Sequence, residues 1–232
     1  MTRVPRVRML ASVRSAEEAL FALNAGADLI DAKEPSTGTL GAVQSATLRE
    51  IVADVARRRP VSAAVGDLPM RVDVVRQAAR RALQDGADFV KVGFFEGGTT
   101  AQEVVGLPGE LPGAALIAVL FADRAPSLET VERLAPAGWH GVMLDTERKN
   151  GGGLRDWTDE AWLQDFVRRA RGAGLLVGLA GSLCEADIGP LVRLEPDYLG
   201  FRGALCAGSL RVDCLDPARV RAVRAELDRA AG

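Results

Sequence analysis

Short apolar runs alternate with longer segments of helical period along the whole chain, the pattern of βα units that build a parallel sheet. Eight units can be read. Their strands are predicted at residues 6–13, 27–33, 61–66, 87–94, 114–122, 139–146, 175–183 and 197–205, and their helices at 15–24, 46–59, 72–84, 128–134, 159–171, 184–194 and 217–230. Ser15 with Glu18 three residues on reads as a capping box for the first helix, and Gly26 as its stop. Gly-Ala-Asp recurs at 26–28 and 86–88, just ahead of the second and fourth strands, a weak internal echo that fits a repeated module.

Eight units without a linker-like shift in composition predict one closed (β/α)8 barrel, α/β in class, spanning 1–232 as a single catalytic domain, because right-handed crossovers wind one way unless the strand order reverses. A doubly wound sheet is the alternative. Its dinucleotide-binding form loses support because no GxGxxG opens the first helix.

Composition narrows the chemistry. With 232 residues, 48% of them hydrophobic, the chain can bury one sizeable core. A formal net charge of −2, with no basic patch interleaved with aromatics, argues against a nucleic-acid partner. One histidine cannot supply a multi-histidine metal site, and three cysteines without CxxC spacing read as free thiols, so neither metal nor cofactor is expected. The arginines of MTRVPRVRMLASV break any signal-like apolar run, and no stretch approaches the ~20 apolar residues of a membrane span. A cytoplasmic enzyme acting on a small phosphorylated molecule is the expectation, with a homo-oligomer left open.

Lysine usage points to the site. Only three of the 29 basic residues are lysine, Lys33, Lys91 and Lys149, and each lies at or just beyond a predicted strand end, where barrel enzymes keep their catalytic groups. Guanidinium stays protonated and cannot act as a nucleophile, so in an arginine-rich chain lysine is retained where an amine is needed. Asp31 and Lys33, two apart on a strand, share a face. Lys91 follows on strand four, and Asp145 with Lys149 on strand six and its loop. An amine crowded by cations and partly desolvated loses affinity for its proton and becomes nucleophilic toward a carbonyl, while a neighbouring carboxylate can move the proton. The carboxylates can also serve as structural ion-pair partners. Asp67 and Asp123 are weaker candidates. His140 starts strand six, at the end away from the mouth, and reads as packing. Loops seven and eight, GLAGSL and GFRGAL, offer Gly178, Gly181, Ser182, Arg202 and Gly203 for phosphate.

The segments GADLIDAKEPSTGTLGA, FVKVGF, LDTERKNGGGL, LAGSL and GFRGALC together resemble the (5-formylfuran-3-yl)methyl phosphate synthase family of methanofuran biosynthesis, over the whole chain. The resemblance implies a class I aldolase-like barrel that condenses two glyceraldehyde 3-phosphate molecules into a phosphorylated furan aldehyde with loss of phosphate and water. It also implies Lys33 as the Schiff-base lysine and Lys91 as the general base, assisted by Asp31, Asp145 and Lys149. Glu34 stands where relatives usually carry Asn. Spacing alone leaves open which lysine is covalent, and two other functions remain: a lysine-dependent aldolase acting on another sugar phosphate, and a non-catalytic barrel that binds a phosphorylated metabolite. Replacing Lys33 or Lys91 by alanine is expected to abolish turnover with the fold intact.

Overall fold

The structure, a computed structural model, describes residues 6–95, 103–148 and 151–231. Eight parallel strands close into a barrel in sequence order: β1 (Arg8–Val13), β2 (Leu29–Ala32), β3 (Val61–Ala64), β4 (Phe89–Gly93), β5 (Leu116–Phe121), β6 (Gly141–Asp145), β7 (Leu176–Leu179) and β8 (Tyr198–Phe201), with β8 pairing back on β1. Closure removes the doubly wound alternative. The helices between strands are α1 (Ala16–Asn24), α2 (Ser45–Val55), α3 (Val72–Gln84), the single turn α4 (Leu107–Glu110), α5 (Leu128–Leu134), the short α6 (Leu154–Trp157), α7 (Glu160–Gly172) and α8 (Glu185–Val192), and α9 (Pro217–Ala230) closes the ring. Among the described residues no helix is long and apolar enough to cross a membrane.

Two local expectations shift. The second helix stops at Val55 rather than 59, because Ala56 and Arg57 turn left-handed at φ of 50° and 60°. At the first helix Ser15 does cap, accepting from the Glu18 amide at 3.2 Å, but the Glu18 carboxylate reaches back to the Arg14 amide at 2.9 Å instead of to Ser15. The Glu18 carboxylate is buried and committed to a larger network described below.

Alternation along each strand divides the core in two. Met9, Ala11, Val13, Ile30, Val90, Ala118, Leu144 and Val177 pack outward beneath the helices, while Leu10, Leu29, Ala64, Ile117, Val119, Phe121, Met143, Ala180 and Tyr198 fill the interior. Gly178 belongs to this interior and not to a phosphate loop: a Cβ there would lie 2.2 Å from Tyr198 Cζ, so its missing side chain is the space the tyrosine ring occupies.

The Gly-Ala-Asp echo has a structural cause. Asp28, Asp88 and Asp197 each sit just before an even-numbered strand and use a carboxylate oxygen to accept an amide at the start of the preceding strand, from Met9 at 2.9 Å, Val61 at 2.8 Å and Val177 at 2.7 Å. Their own amides donate to the carbonyls of the same three residues at 2.8–2.9 Å. Two residues earlier the chain is left-handed each time, at Gly26, Gly86 and Glu195. His140 occupies the equivalent place before β6, two residues after left-handed Gly138. It keeps the backbone half of the motif, donating to Leu116 O at 3.0 Å, and its exposed ring packs on Phe89 with centroids 5.3 Å apart.

Candidate active site

The same alternation that fills the barrel places four charged side chains at the C-terminal ends of β2, β4 and β6. Parallel registry aligns Ser12 with Asp31 and Asp31 with Ser62, so the Asp31 carboxylate accepts both hydroxyls, at 2.8 and 2.7 Å. Lys91, from the next even strand, closes the shell with Nζ 2.6 Å from Asp31 Oδ2. Both partners are buried. Burial alone would raise the Asp31 carboxyl, but the ammoniums of Lys91 and then Lys33, with the Ser62 hydroxyl, hold it below the ordinary carboxylate range. Burial, reinforced by the Asp31 charge, pushes the neighbouring Tyr198 phenol upward and keeps it neutral.

Lys33 lies one residue past the end of β2, and its Nζ stands 3.7 Å from Asp145 Oδ2 at the end of β6. Asp145 Oδ1 accepts the Thr146 amide at 2.7 Å. The contact at Lys33 is a looser ion pair than the one at Lys91. Lys33, Lys91 and Asp145 line one cavity of about 510 Å³ at the barrel mouth, and Asp31 lies against it through Lys91. The expected convergence of Lys33, Lys91, Asp31 and Asp145 is therefore present, whereas Lys149 lies outside the described residues. Asp67 and Asp123 prove to be loop fasteners: Asp67 accepts the Thr39 and Leu40 amides, both at 2.6 Å, and Asp123 accepts the Glu147 and Arg148 amides, both at 2.8 Å.

The burial of Lys91 alters one expectation. A lysine this deep, paired with a fully buried carboxylate, is part of the packed interior, so removing it strands a buried charge and costs stability as well as activity.

Gly181, Ser182 and Leu183 link β7 to α8 and line the same cavity, and their backbone N–H groups make no hydrogen bond within the described residues. Gly181 at φ 113° and Ser182 at φ 50° form the left-handed turn that brings the chain to the α8 N-terminus. Successive amides at a helix N-terminus suit an anion. Gly203 also lines the cavity. Arg202 does not fill the expected role. Its guanidinium is buried, paired with Glu18 at 2.5 Å, and its remaining donors go to the carbonyls of Ser12 (3.1 Å), Arg211 (2.7 Å) and Asp213 (2.7 Å). All five of its N–H groups are thereby used, and it acts as the brace that ties the loop after β8 to β1 and α1. The sequence reading missed Arg211 and Arg219, which line the same cavity. In an arginine-rich chain nothing in their spacing marks them, since only the course of the loop after β8 brings them to the mouth.

Among the described residues no group of three or more His, Cys, Asp or Glu side chains could hold a metal ion. The charged groups present can hold an anion, form a covalent imine and move protons.

A family model described as 4-HFC-P synthase matches residues 9–224. A provisional (5-formylfuran-3-yl)methyl phosphate synthase of Methylorubrum extorquens is 45% identical over 215 residues, covering 93% of this chain and 89% of the relative. The (5-formylfuran-3-yl)methyl phosphate synthase of Methanothermobacter thermautotrophicus is 36% identical over 214 residues, covering 88% and 91%. Among solved structures, phosphoribosyl anthranilate isomerase of Thermotoga maritima superposes with a TM-score of 0.71 at 13% identity, covering 96% of this chain and 99% of that one. 3-Hexulose-6-phosphate synthase of Salmonella typhimurium does so with a TM-score of 0.64 at 16%, covering 97% and 100%. At such identities these two establish the barrel fold alone.

Proposed function

The chain belongs to the 4-HFC-P synthase family, the (5-formylfuran-3-yl)methyl phosphate synthases, and from that premise we propose that it condenses two molecules of glyceraldehyde 3-phosphate through a Schiff base on Lys33. The observation that carries this reading is the pair of lysine–carboxylate contacts of unequal tightness in one cavity, 2.6 Å at Lys91–Asp31 and 3.7 Å at Lys33–Asp145, facing an amide-lined turn.

Lys33 is taken as the nucleophile, as the resemblance implies, with its Nζ 3.7 Å from Asp145 Oδ2 in the cavity. Its Nζ adds to the aldehyde carbon, and loss of that oxygen as water, with Asp145 moving the proton, leaves an iminium. The iminium acidifies the adjacent C–H. Lys91, exchanging a proton with Asp31, serves as the base that takes that proton, and the electron pair is stored as an enamine. Two three-carbon units then account for the six carbons of the product, with one phosphate and two waters lost. The turn at Gly181–Leu183, with Gly203, holds a substrate phosphate. The product feeds the making of methanofuran or a similar carrier.

The test is incubation of the protein with glyceraldehyde 3-phosphate and sodium borohydride, followed by peptide mass spectrometry. A reduced adduct on Lys33 is expected, together with a furan absorbance and free phosphate in the unreduced reaction. Lys33→Ala is expected to lose both the adduct and more than about 10³-fold of turnover. An adduct on Lys91 instead would exchange the two roles, and triose joining without furan or phosphate release would make the enzyme an ordinary aldolase.

A further inference from the structure

The proposed reaction takes up two phosphorylated trioses and releases one phosphate, so the cavity has to hold two phosphate groups that meet different fates. Two differently built anion-binding features line it. One is the turn Gly181–Leu183 at the α8 N-terminus, which shares the cavity lining with Arg219, whose Nε donates to Ala204 O at 3.0 Å. The other is Arg211, on the excursion between β8 and α9, which lines the same cavity.

Arg211 differs from its neighbour Arg202 in a way that bears on function. Arg202 is buried with every donor satisfied. Arg211 is half-buried in the cavity, and of its five N–H groups the described residues accept one, from Nη2 to Gly38 O at 2.8 Å. Burial pushes its guanidinium below the ordinary value against the pull of Asp145 first and Asp67 second, and it lines the same cavity as Lys33 and Asp145. Its backbone is anchored separately, with Arg211 O accepting from Arg202 Nε at 2.7 Å. Its sequence neighbours Leu210 and Val212 are exposed.

We propose that Arg211 is the ligand of the phosphate that leaves, while the Gly181–Leu183 amides and Arg219 hold the phosphate that the product retains. This rests on the Schiff-base reading. In the step served by Arg211, the enamine nitrogen lone pair re-forms the iminium, the former enamine double bond moves one carbon along, and the bond between the third carbon and the phosphate oxygen breaks with its electron pair leaving on the phosphate. Charge grows on that oxygen as the bond opens, and a guanidinium with unused donors stabilises it more than it stabilises the bound substrate. A rigid backbone cradle suits the phosphate that must stay in register through condensation and ring closure.

The experiment uses the full chain and Arg211→Ala, Arg211→Lys and Arg219→Ala. Inorganic phosphate titrated calorimetrically into the wild type is expected to fill two sites, and Arg211→Ala to retain one. With glyceraldehyde 3-phosphate and borohydride, Arg211→Ala is expected still to give a Lys33 adduct, now carrying its phosphate, while phosphate release falls about 100-fold and Arg211→Lys recovers part of it. Arg219→Ala is expected to weaken substrate binding more than it slows phosphate release from bound substrate. Equal phosphate stoichiometry in wild type and Arg211→Ala, or undiminished phosphate release by that variant, overturns the assignment. Failure of the wild type to form any lysine adduct would instead defeat the Schiff-base reading, while the two-site phosphate stoichiometry would stand or fall by itself.

Discussion

At the N-terminal face of the barrel, Asp28, Asp88 and Asp197 each accept an amide from the strand before them, 19 to 27 residues away in the chain. At the mouth, Asp31 and Asp145 instead face lysine ammoniums 60 and 112 residues away, buried beneath and beside the cavity and largely out of water. The lower carboxylates satisfy the backbone of a neighbouring unit, and the bond repeats before β2, β4 and β8 because each of those strands follows one that presents an amide at the same place. Those at the mouth are matched once only, by side chains that a desolvated setting makes costly and reactive. The lower set thus ties strand to strand, while the upper set holds charge at the end of the barrel where the proposed chemistry would take place.

The comparison breaks most sharply at Lys91. Lys91→Ala leaves the Asp31 carboxylate buried without its cation, and about 3–5 kcal/mol of unfolding free energy is expected to go with it. Lys33→Ala, at the looser pair, should lose less stability while losing turnover just as completely. Urea denaturation of both variants checks the difference, and equal losses would place the two lysines in equivalent settings.

A smaller effect is expected below. Asp88→Ala removes the acceptor of the Val61 amide and should cost about 1–3 kcal/mol, with kcat and KM unchanged at a temperature where the variant is folded. A change in either constant would connect the lower face to the site. His140 marks the limit of this device, since β6 joins β5 there with only the backbone bond from His140 N to Leu116 O.

The smallest and most specific effect concerns acid. Because the Asp31 carboxyl is held below its ordinary value in the fold, its contribution is present above the unfolded value of about 3.9 and is lost as pH falls through the folded value. The stability margin of the wild type over Asp31→Asn is therefore expected to be flat above about pH 5 and to shrink toward lower pH. A margin that widened in acid would show that the carboxyl is raised, not lowered.

Much of the site could be read without coordinates because strand periodicity is a local property. Residues two apart share a face, so Asp31 with Lys33 followed from β2 alone, and scarce lysine at strand ends marked Lys91 in the same way. Gly178 was misplaced because the sequence shows a glycine in a suggestive string but not the Tyr198 ring that needs its space. Arg202 was misread for a similar reason: a guanidinium beside a glycine looks free until the buried Glu18 carboxylate, 184 residues away, is seen against it. Arg211 and Arg219 carried no signal at all.

The alternation of apolar and helical periods and the count of eight units determined the barrel, since each depends on spacing within one unit, and the scarcity of lysine singled out the residues on which the proposed chemistry rests. Closure of the sheet decided everything that depends on neighbours meeting: which carboxylate each lysine faces, how tightly, which arginine is spent on structure and which still has donors to offer. Those outcomes turn on distances between residues far apart in the chain, and such distances exist only once the eighth strand has paired with the first.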